Sequence, residues 1–294
     1  MRRVLKWIGI GVGGLVVLAL LAALGLVTRG YARFHHSYQA SDLLPAVVSD
    51  PLTVANGEHV VQLHGCRGCH GPDLGGRLFL DITPVQLIAP NLTRGRGGIG
   101  GTYTDQDWDR AIRQGLRPSG KPLIPIMPYA LFNRLSDPDA AALIAYLKTV
   151  PPVDNDLPPT RVRLPGYFMV GLAGAELLHP HLPGPPRPAP EAAPTAAYGQ
   201  YLTSHMCVEC HGEDLRGGRH PSGEGPPAPG LAAAGVWPWA DFARAVRTGI
   251  APGGRTLSPL MPSKDALEHL SDVEVQALHE YLKTLQTSAN GHTP

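Results

Sequence analysis

The strongest pattern in the chain is an uncharged, apolar run of 21 positions, Trp7–Val27. At about 1.5 Å per helical residue, this run is long enough to cross a hydrocarbon core of about 30 Å. Further along, apolar residues recur at i, i+3 and i+4 in two similar segments, Leu135–Thr149 and Leu270–Thr284. The pattern therefore predicts an N-terminal membrane helix followed by two related helical units.

The charges before the apolar run predict its orientation. Arg2, Arg3 and Lys6 precede it, which favours a cytoplasmic N-terminus with everything after the helix outside. We expect a single-pass anchor at residues 1–30 in the inner membrane, with the remaining domains on the periplasmic side. A cleaved signal peptide is the alternative, because Ala23–Gly25 offers the small residues of a cleavage site.

The chain after the anchor repeats itself once. The segment Asp107–Gly115 returns as Asp241–Gly249, with polar and apolar positions matched at helical spacing. The two C-terminal helices open with the same type of capping box, at Ser136–Asp139 and at Ser271–Glu274. Both halves therefore have the order helix, cysteine motif, long loop, helix, methionine-containing loop, helix.

Composition favours short helices joined by long ordered loops. The 294 residues include 31 prolines and 35 glycines, and strand-like alternation is sparse. Twelve prolines fall between residues 151 and 194, which predicts a stiff connector without helix or sheet. A formal net charge of +1 gives no support for nucleic-acid binding. We expect an all-α fold, divided into an anchor (1–30), a juxtamembrane connector (31–53), a first domain (54–150), a Pro-rich linker (151–194), a second domain (195–287) and a C-terminal tail (288–294).

All four cysteines lie in two copies of a Cys-x-x-Cys-His pattern, at Cys66–His70 and Cys207–His211. This pattern is typical of c-type haem attachment, in which the thiols form thioethers and the histidine binds the iron. A structural zinc site needs four ligands, a thioredoxin-type dithiol has no use for the histidine, and a disulfide framework would not confine every cysteine to two clusters. We predict two covalently attached haem c groups, bound by Cys66, Cys69, His70, Cys207, Cys210 and His211.

Each iron of an electron carrier needs a second axial ligand, and two methionines occupy matched positions. Met127 and Met261 lie in the proline-flanked loops Pro125–Pro128 and Pro259–Pro262, 57 and 50 residues after the histidine of their own motif. A lone methionine often only fills a core, but the repetition favours iron ligands, whose thioether sulfur raises the reduction potential. The remaining histidines are interpreted as surface or packing residues without equivalents in the other half, including His64, His205, His220, His269 and His279.

A histidine that binds a metal usually donates its other ring N–H to a carbonyl. The sequence Ala-Pro-x-Leu occurs at Ala89–Leu92 and again at Ala228–Leu231, at matching distances after the two axial histidines. Pro90 and Pro229 are therefore candidate carbonyl acceptors. Ordinary loop prolines are an equally weighted alternative.

Several short motifs resemble those of a known family. They are Pro90–Thr93, Gly98–Gly100, Ile112–Gly115, Met127–Tyr129 and Leu143–Leu147. Together they resemble the multihaem cytochrome c subunits of membrane-bound bacterial dehydrogenases for alcohols and sugar acids. The likeness covers residues 57–160 well and residues 198–286 more loosely, as class I cytochrome c domains.

The resemblance implies an all-helical fold with two tandem class I cytochrome c domains. It implies that Met127 and Met261 are the distal ligands opposite His70 and His211, and that each haem edge is exposed near its cysteine pair. The related subunits commonly carry three haems, whereas this chain has motifs for two. It also implies a protein that moves electrons and performs no bond-making chemistry itself.

Three functions compete at this point. The leading hypothesis is a membrane-tethered dihaem carrier that transfers electrons from a dehydrogenase or a quinol-oxidising complex toward a terminal oxidase. The second is a fixed subunit of a larger respiratory complex, such as the dihaem subunit of a cbb3-type oxidase. The third is a dihaem peroxidase, which is disfavoured because it needs one iron with an open position and both haems here have a candidate methionine.

Overall fold

The computed structural model describes residues 2–42, 44–173, 178, 187–220, 223, 225–262 and 266–290. The α-helices are α1 (Arg2–His35), α2 (Pro51–Leu63), α3 (Cys66–His70), α4 (Asp105–Asp109), α5 (Tyr129–Phe132), α6 (Asp137–Leu147), α7 (Leu164–Ala173), α8 (Ala196–Met206), α9 (Val208–His211), α10 (Trp239–Thr248) and α11 (Asp272–Asn290). The strands are β1 (Arg77–Ile82), β2 (Val85–Ala89), β3 (Arg161–Val162), β4 (Gly217–Gly218) and β5 (Ala228–Pro229). Met1, the prolines at 185–186 of the predicted linker and the last four residues of the predicted tail lie outside this description.

Helix α1 contains the predicted membrane segment and continues beyond its predicted end at residue 30. An 18-residue window within it has a mean hydropathy of 2.7 and is not buried inside the molecule, so the helix is long and apolar enough to cross a membrane. The next helix, α2, begins after Asp50, whose carboxylate accepts hydrogen bonds from the N–H groups of Leu52 and Thr53. The predicted connector at residues 31–53 therefore starts within α1 and ends within α2.

In the first half, α2 crosses α6 at a glycine. A Cβ atom added to Gly57 would lie 1.9 Å from the backbone oxygen of Ala142, so the two helices are in backbone contact. Ser136 begins α6 by accepting a hydrogen bond from the N–H of Asp139. The Asp139 carboxylate does not complete the expected capping box but accepts a hydrogen bond from the hydroxyl of Tyr201, in the other half.

The second half repeats this crossing with α8 and α11. A Cβ atom on Gly199 would lie 2.0 Å from the backbone oxygen of Ala277. Helix α11 has the complete capping box, because Ser271 accepts from the N–H of Glu274 and the Glu274 carboxylate accepts from the N–H of Ser271 at 2.7 Å. Each half has its own apolar core, and Leu63 at the end of α2 belongs to the core of the second half.

The all-α prediction is wrong for the loop after the first cysteine motif, which forms a β-hairpin. Strands β1 and β2 pair antiparallel, from Arg77 opposite Ala89 to Ile82 opposite Val85, and β3 pairs with β2. The second half has only the short pair β4–β5 at the corresponding place in its described residues. Residues 77–89 combine β-branched and aromatic side chains with a short turn, a hairpin signal that a search for helical periodicity overlooks.

The linker was predicted to lack helix and sheet, and it contains both. It supplies β3 and then α7, whose Pro165 lies in the first turn, where a missing N–H breaks no helical hydrogen bond. The part before β3 packs on the first half. The side-chain amide of Asn91 donates to the backbone oxygen of Val153 at 2.7 Å, and that of Asn155 donates to Gly75 at 2.8 Å. The domain boundaries themselves stay predictions.

A buried ion triad fixes the start of α6 against the π-helical turn that continues α4. Arg113 is 1% exposed and donates to the carboxylates of Asp109 and Asp137, the latter at 2.6 Å. Burial raises the pKa of Asp109, although Arg113 opposes this effect. The backbone oxygen of Arg113 accepts from the side chain of Asn133 at 2.9 Å. Arg113 and Asp137 lie on either side of the chain segment that contains Met127, so the triad connects the two ends of this segment.

Candidate haem sites

Each Cys-x-x-Cys-His motif contains a short helix that ends at the histidine. The first motif is α3, and Gly71 follows it with a φ of 86°. In the second motif Cys207 precedes α9, and Gly212 follows with a φ of 82°. All four cysteines are free, and burial raises the pKa of Cys66 and of Cys207 to about 12. No disulfide joins them, so both thiols of each motif are left for the thioether bonds that the pattern predicts.

In both halves a proline carbonyl orients the histidine of the Cys-x-x-Cys-His motif. The Nδ1–H of His70 donates to the backbone oxygen of Pro90 at 2.9 Å, and that of His211 donates to Pro229 at 2.7 Å. Both histidines are buried. Burial lowers the pKa of His70, against the opposing effect of the Pro90 carbonyl, so its imidazole is neutral. In this arrangement the Nε2 lone pair is left for a metal.

A repeated turn brings each proline carbonyl to its histidine. Leu74 and Leu215 have φ values of 59° and 55°, in the left-handed region that residues with a branched side chain seldom adopt. The backbone oxygen of Leu74 accepts from the N–H of Leu92 at 2.9 Å, and that of Leu215 accepts from Leu231 at 2.8 Å. The donor is in each case two positions after the proline. The sequence repeat marked these leucines but gave no sign of their conformation.

The segments that lead into the two methionine loops are closed in the same way. The N–H of Leu123 donates to the backbone oxygen of Gly115 at 2.7 Å, and that of Leu257 donates to Gly249 at 2.7 Å, each four residues before the methionine. Both glycines are in the left-handed region. Met127 and Met261 are half-buried and pack against the same apolar core as the first cysteine of their own motif. Each half thus combines two free thiols, an oriented imidazole and a thioether sulfur, a donor set that fits a covalently attached haem.

His64 and His205 occupy matched positions, two residues before the first cysteine of each motif, so the interpretation that they lack equivalents is wrong. Their ring centroids lie 5.1 Å apart, and Nε2 of His64 is 3.1 Å from Nδ1 of His205. Because Nδ1 of His64 donates to the backbone oxygen of Val60 at 2.8 Å, its Nε2 accepts the hydrogen bond from His205. Burial lowers the pKa of both histidines, so the two rings in contact are neutral.

Polar contacts surround this histidine pair and join the two halves. Nε2 of His59 lies 2.8 Å from the carboxylate of Glu274, and this hydrogen bond raises the pKa of His59. Arg134 donates to the carboxylate of Glu213 at 2.8 Å and to the backbone oxygen of Ser204 at 3.2 Å. The relative position of the two candidate sites is therefore set by several contacts of different kinds.

Comparison with known proteins identifies the class of these sites. Residues 54–151 match the family described as "Cytochrome c", and residues 194–282 match the family described as "Cytochrome C oxidase, cbb3-type, subunit III". The two matched segments include both cysteine motifs, both proline carbonyls and both methionine loops. The chain therefore contains two cytochrome c domains.

Three relatives narrow the assignment. The chain is 26% identical to the fructose dehydrogenase cytochrome subunit of Gluconobacter japonicus, over 85% of this chain and 56% of that protein. It is 29% identical to the gluconate 2-dehydrogenase cytochrome c subunit of Pantoea cypripedii, over 79% and 59%. It is 30% identical to a protein named diheme cytochrome c-type from Cereibacter sphaeroides, over 81% and 90%. The chain belongs to the family of dihaem c-type cytochromes.

This family membership settles two points of the sequence analysis. Two cytochrome c domains fit two covalently bound haem c groups, and they are consistent with an electron carrier. The chain spans a little over half the length of the fructose and gluconate dehydrogenase subunits that it matches.

Proposed function

We propose that this protein is a membrane-anchored dihaem electron carrier, which accepts electrons from a membrane-bound dehydrogenase or a quinol-oxidising complex and passes them toward a terminal oxidase. When bound, haem iron supplies reversible one-electron transfer. The residues that hold the first haem are Cys66, Cys69, His70 and Met127. The residues that hold the second are Cys207, Cys210, His211 and Met261. Pro90 and Pro229 orient the axial histidines through their backbone oxygens.

The repeated histidine geometry carries this proposal. In both copies of the repeat, a buried imidazole donates from Nδ1 to a proline carbonyl, at 2.9 Å from His70 and at 2.7 Å from His211. Such a bond fixes the ring orientation and raises the basicity of the free nitrogen, which is what an iron ligand requires.

The contact between His64 and His205 supports electron exchange within the chain. Each histidine is two residues before a haem-attaching cysteine, so the attachment points of both haems lie beside the surface shared by the two halves. The pair adds no charge there, because both rings are neutral. The hydrogen bond and the ring stacking between the two histidines hold the two attachment points at a fixed distance and orientation.

The membrane and partner assignments rest on α1 and on the relatives. Helix α1 is long and apolar enough to span a bilayer, and the positive charges at its start favour a cytoplasmic N-terminus. With that orientation the haem domains lie on the periplasmic side of the inner membrane. The relatives named as cytochrome subunits of fructose and gluconate dehydrogenases support a dehydrogenase as the electron donor. A mature N-terminus near residue 26, determined by mass spectrometry, would favour a cleaved signal peptide over an anchor.

Substitution of the candidate methionines tests the ligand assignment. Met127→Leu removes one thioether sulfur at nearly constant volume, so one of two midpoint potentials should shift to a more negative value in a spectroscopic redox titration. Met261→Leu should shift the other potential. Met169→Leu, at an exposed position of α7, is the matched control and should shift neither. Unchanged potentials in both site variants, with a full complement of covalent haem, would contradict the assignment.

A fixed subunit of a terminal oxidase is the second candidate. The match of residues 194–282 to the cbb3-type oxidase subunit III family favours it. Purification in mild detergent separates the two candidates. A carrier should elute without other integral membrane proteins, whereas an oxidase subunit should bring stoichiometric integral membrane partners with it.

A further inference from the structure

Helix α7 lies antiparallel against the last part of α1, with the two backbones in contact. A Cβ atom on Gly30 would lie 1.8 Å from the backbone oxygen of Tyr167, and one on Gly171 would lie 2.0 Å from that of Leu26. Since position 30 meets 167 and position 26 meets 171, the helices run in opposite directions. Glycines at both crossing points are the small residues that let helices in a membrane approach closely.

These contacts set the depth of α7 relative to the apolar run of α1. Leu26 is one residue from the end of that run, so the last turn of α7, around Gly171, is level with the apolar segment. One turn further out, the ring of Tyr167 lies 5.4 Å from that of Tyr31 and 5.6 Å from that of Phe34. Such aromatic clusters are typical of the membrane–water interface.

The side of α7 that faces away from α1 is apolar and open. Leu164, Met169 and Leu172 are 69%, 56% and 67% exposed, and α7 contains no charged residue. On α1, Leu24 lies two residues before Leu26 and is 58% exposed as well. A soluble surface seldom combines such exposure with a complete lack of charge, whereas lipid acyl chains are well suited to cover it.

Polar groups near this surface are satisfied within the protein. The guanidinium of Arg33 donates to the backbone oxygen of Val170 at 2.8 Å. At the other end of α7, the N–H of Arg163 donates to the backbone oxygen of Pro84 at 3.0 Å, and a Cβ atom on Gly166 would lie 2.4 Å from that oxygen. Helix α7 is thus fixed both to α1 and to the turn of the β1–β2 hairpin.

We infer that α7 is a second membrane contact, whose C-terminal half inserts into the leaflet on the haem side and is covered by lipid acyl chains. This inference rests on the proposed anchoring by α1. Because α7 is also fixed to the β1–β2 hairpin, the first cytochrome domain has a set orientation to the bilayer, whereas a single-pass helix alone would let it rotate.

Introduced cysteines test this inference in the full, haem-loaded protein. In the haem-loaded protein the proposed thioether bonds occupy all four native cysteines, so a new cysteine is the only free thiol. Leu172→Cys probes α7, Leu15→Cys probes the middle of α1, and Leu78→Cys on the exposed side of β1 is the water-facing control. Each thiol is coupled to a benzophenone maleimide in detergent. The protein is then reconstituted into phosphatidylcholine vesicles and irradiated, and adducts are identified by mass spectrometry.

The expected result is a phospholipid adduct at positions 172 and 15, in several-fold higher yield than at position 78. The inference is overturned if position 15 gives a lipid adduct but the adduct yield at position 172 is as low as at position 78. A cross-link from position 172 to a second copy of the chain would overturn it as well. The absence of a lipid adduct at position 15 overturns the anchor itself. The two failures are therefore distinguishable.

Discussion

Substitution of Arg113 by methionine is expected to destabilise its domain far more than the same change at the equivalent Arg247. Arg113 is 1% exposed between Asp109 and Asp137, whereas Arg247 pairs with Asp272, whose side chain is 92% exposed. Removing one partner of a buried ion pair costs about 3–5 kcal/mol, because the other charge remains buried and uncompensated. An exposed pair contributes about 0–1 kcal/mol.

Differential scanning calorimetry of the haem-loaded protein would measure both effects. For a domain of this size, 1 kcal/mol shifts Tm by roughly 4–8 °C. Arg113→Met should therefore lower the Tm of the first domain by at least about 12 °C, and Arg247→Met should lower that of the second by no more than about 8 °C. Replacing the fully buried carboxylate as well, with Asp109→Leu, should recover part of the loss at Arg113. The recovery is incomplete because, among the described residues, the carboxylate of Asp137 remains without a cation and keeps only the hydrogen bond from the N–H of Arg187.

The pH dependence gives a second readout. Without the guanidinium, the buried carboxyl of Asp109 has a folded pKa above its unfolded value, because burial already raises it in the native protein. A raised folded pKa favours folding at low pH, and this contribution is lost as pH rises through the folded pKa. The deficit of Arg113→Met should therefore shrink below about pH 4, the unfolded pKa, and be largest near neutrality. A loss no greater than that of Arg247→Met, or one independent of pH, would refute the reasoning.

Three further predictions concern the helix crossing and the contact between the halves. Gly57→Ala should lower Tm in circular dichroism melts, because separating α2 from α6 costs about 1–3 kcal/mol against a helix-propensity gain of about 1 kcal/mol. Gly101→Ala, whose Cβ meets nothing closer than 3.9 Å, should leave Tm unchanged; equal effects would argue against a tight crossing. The hydrogen bond with Glu274 raises the pKa of His59, so its stabilisation is fully present below about pH 6.5, the unfolded value, and is lost as pH rises through the folded pKa. The Tm advantage over His59→Gln should therefore decline as pH rises above about 6.5, and a constant advantage would disprove this linkage. His205→Leu leaves Nε2 of His64 as an unpaired acceptor and should lower the free energy of unfolding, measured in urea, by about 1–3 kcal/mol. Adding His64→Leu to this variant should cost less than the first substitution did, whereas strictly additive costs would indicate that the two histidines are not coupled.

The sequence specified the chemistry of the candidate sites better than their surroundings. A Cys-x-x-Cys-His motif is local, so its residues are recognisable without knowledge of the fold. The position of the Pro90 carbonyl depends on the left-handed conformation of Leu74 and on the hydrogen bond from Leu92, and neither is encoded in residue type. Only the repetition of Ala-Pro-x-Leu indicated it.

The errors have physical causes of their own. The β1–β2 hairpin has no helical periodicity, which is the pattern that marks the other elements of this chain. Helix α7 lies in a proline-rich segment whose composition favours an extended connector, so composition does not indicate it. The pairing of His64 with His205 could have been found, since both residues precede a cysteine motif by two positions. Their contact, however, depends on how the two halves pack, which no local pattern determines.

Residues 151–155, which follow α6, limit where the two halves can be separated or exchanged between relatives. The backbone oxygen of Val153 accepts from the side-chain amide of Asn91, and the side-chain amide of Asn155 donates to the backbone oxygen of Gly75. These residues therefore pack against the loop that follows the first cysteine motif. A fragment that stopped at residue 150 would leave these groups of the first half without partners. A chimaera that keeps the first half intact would therefore have to include these residues. The segment that can be exchanged between relatives is thus longer than the helical repeat alone indicates.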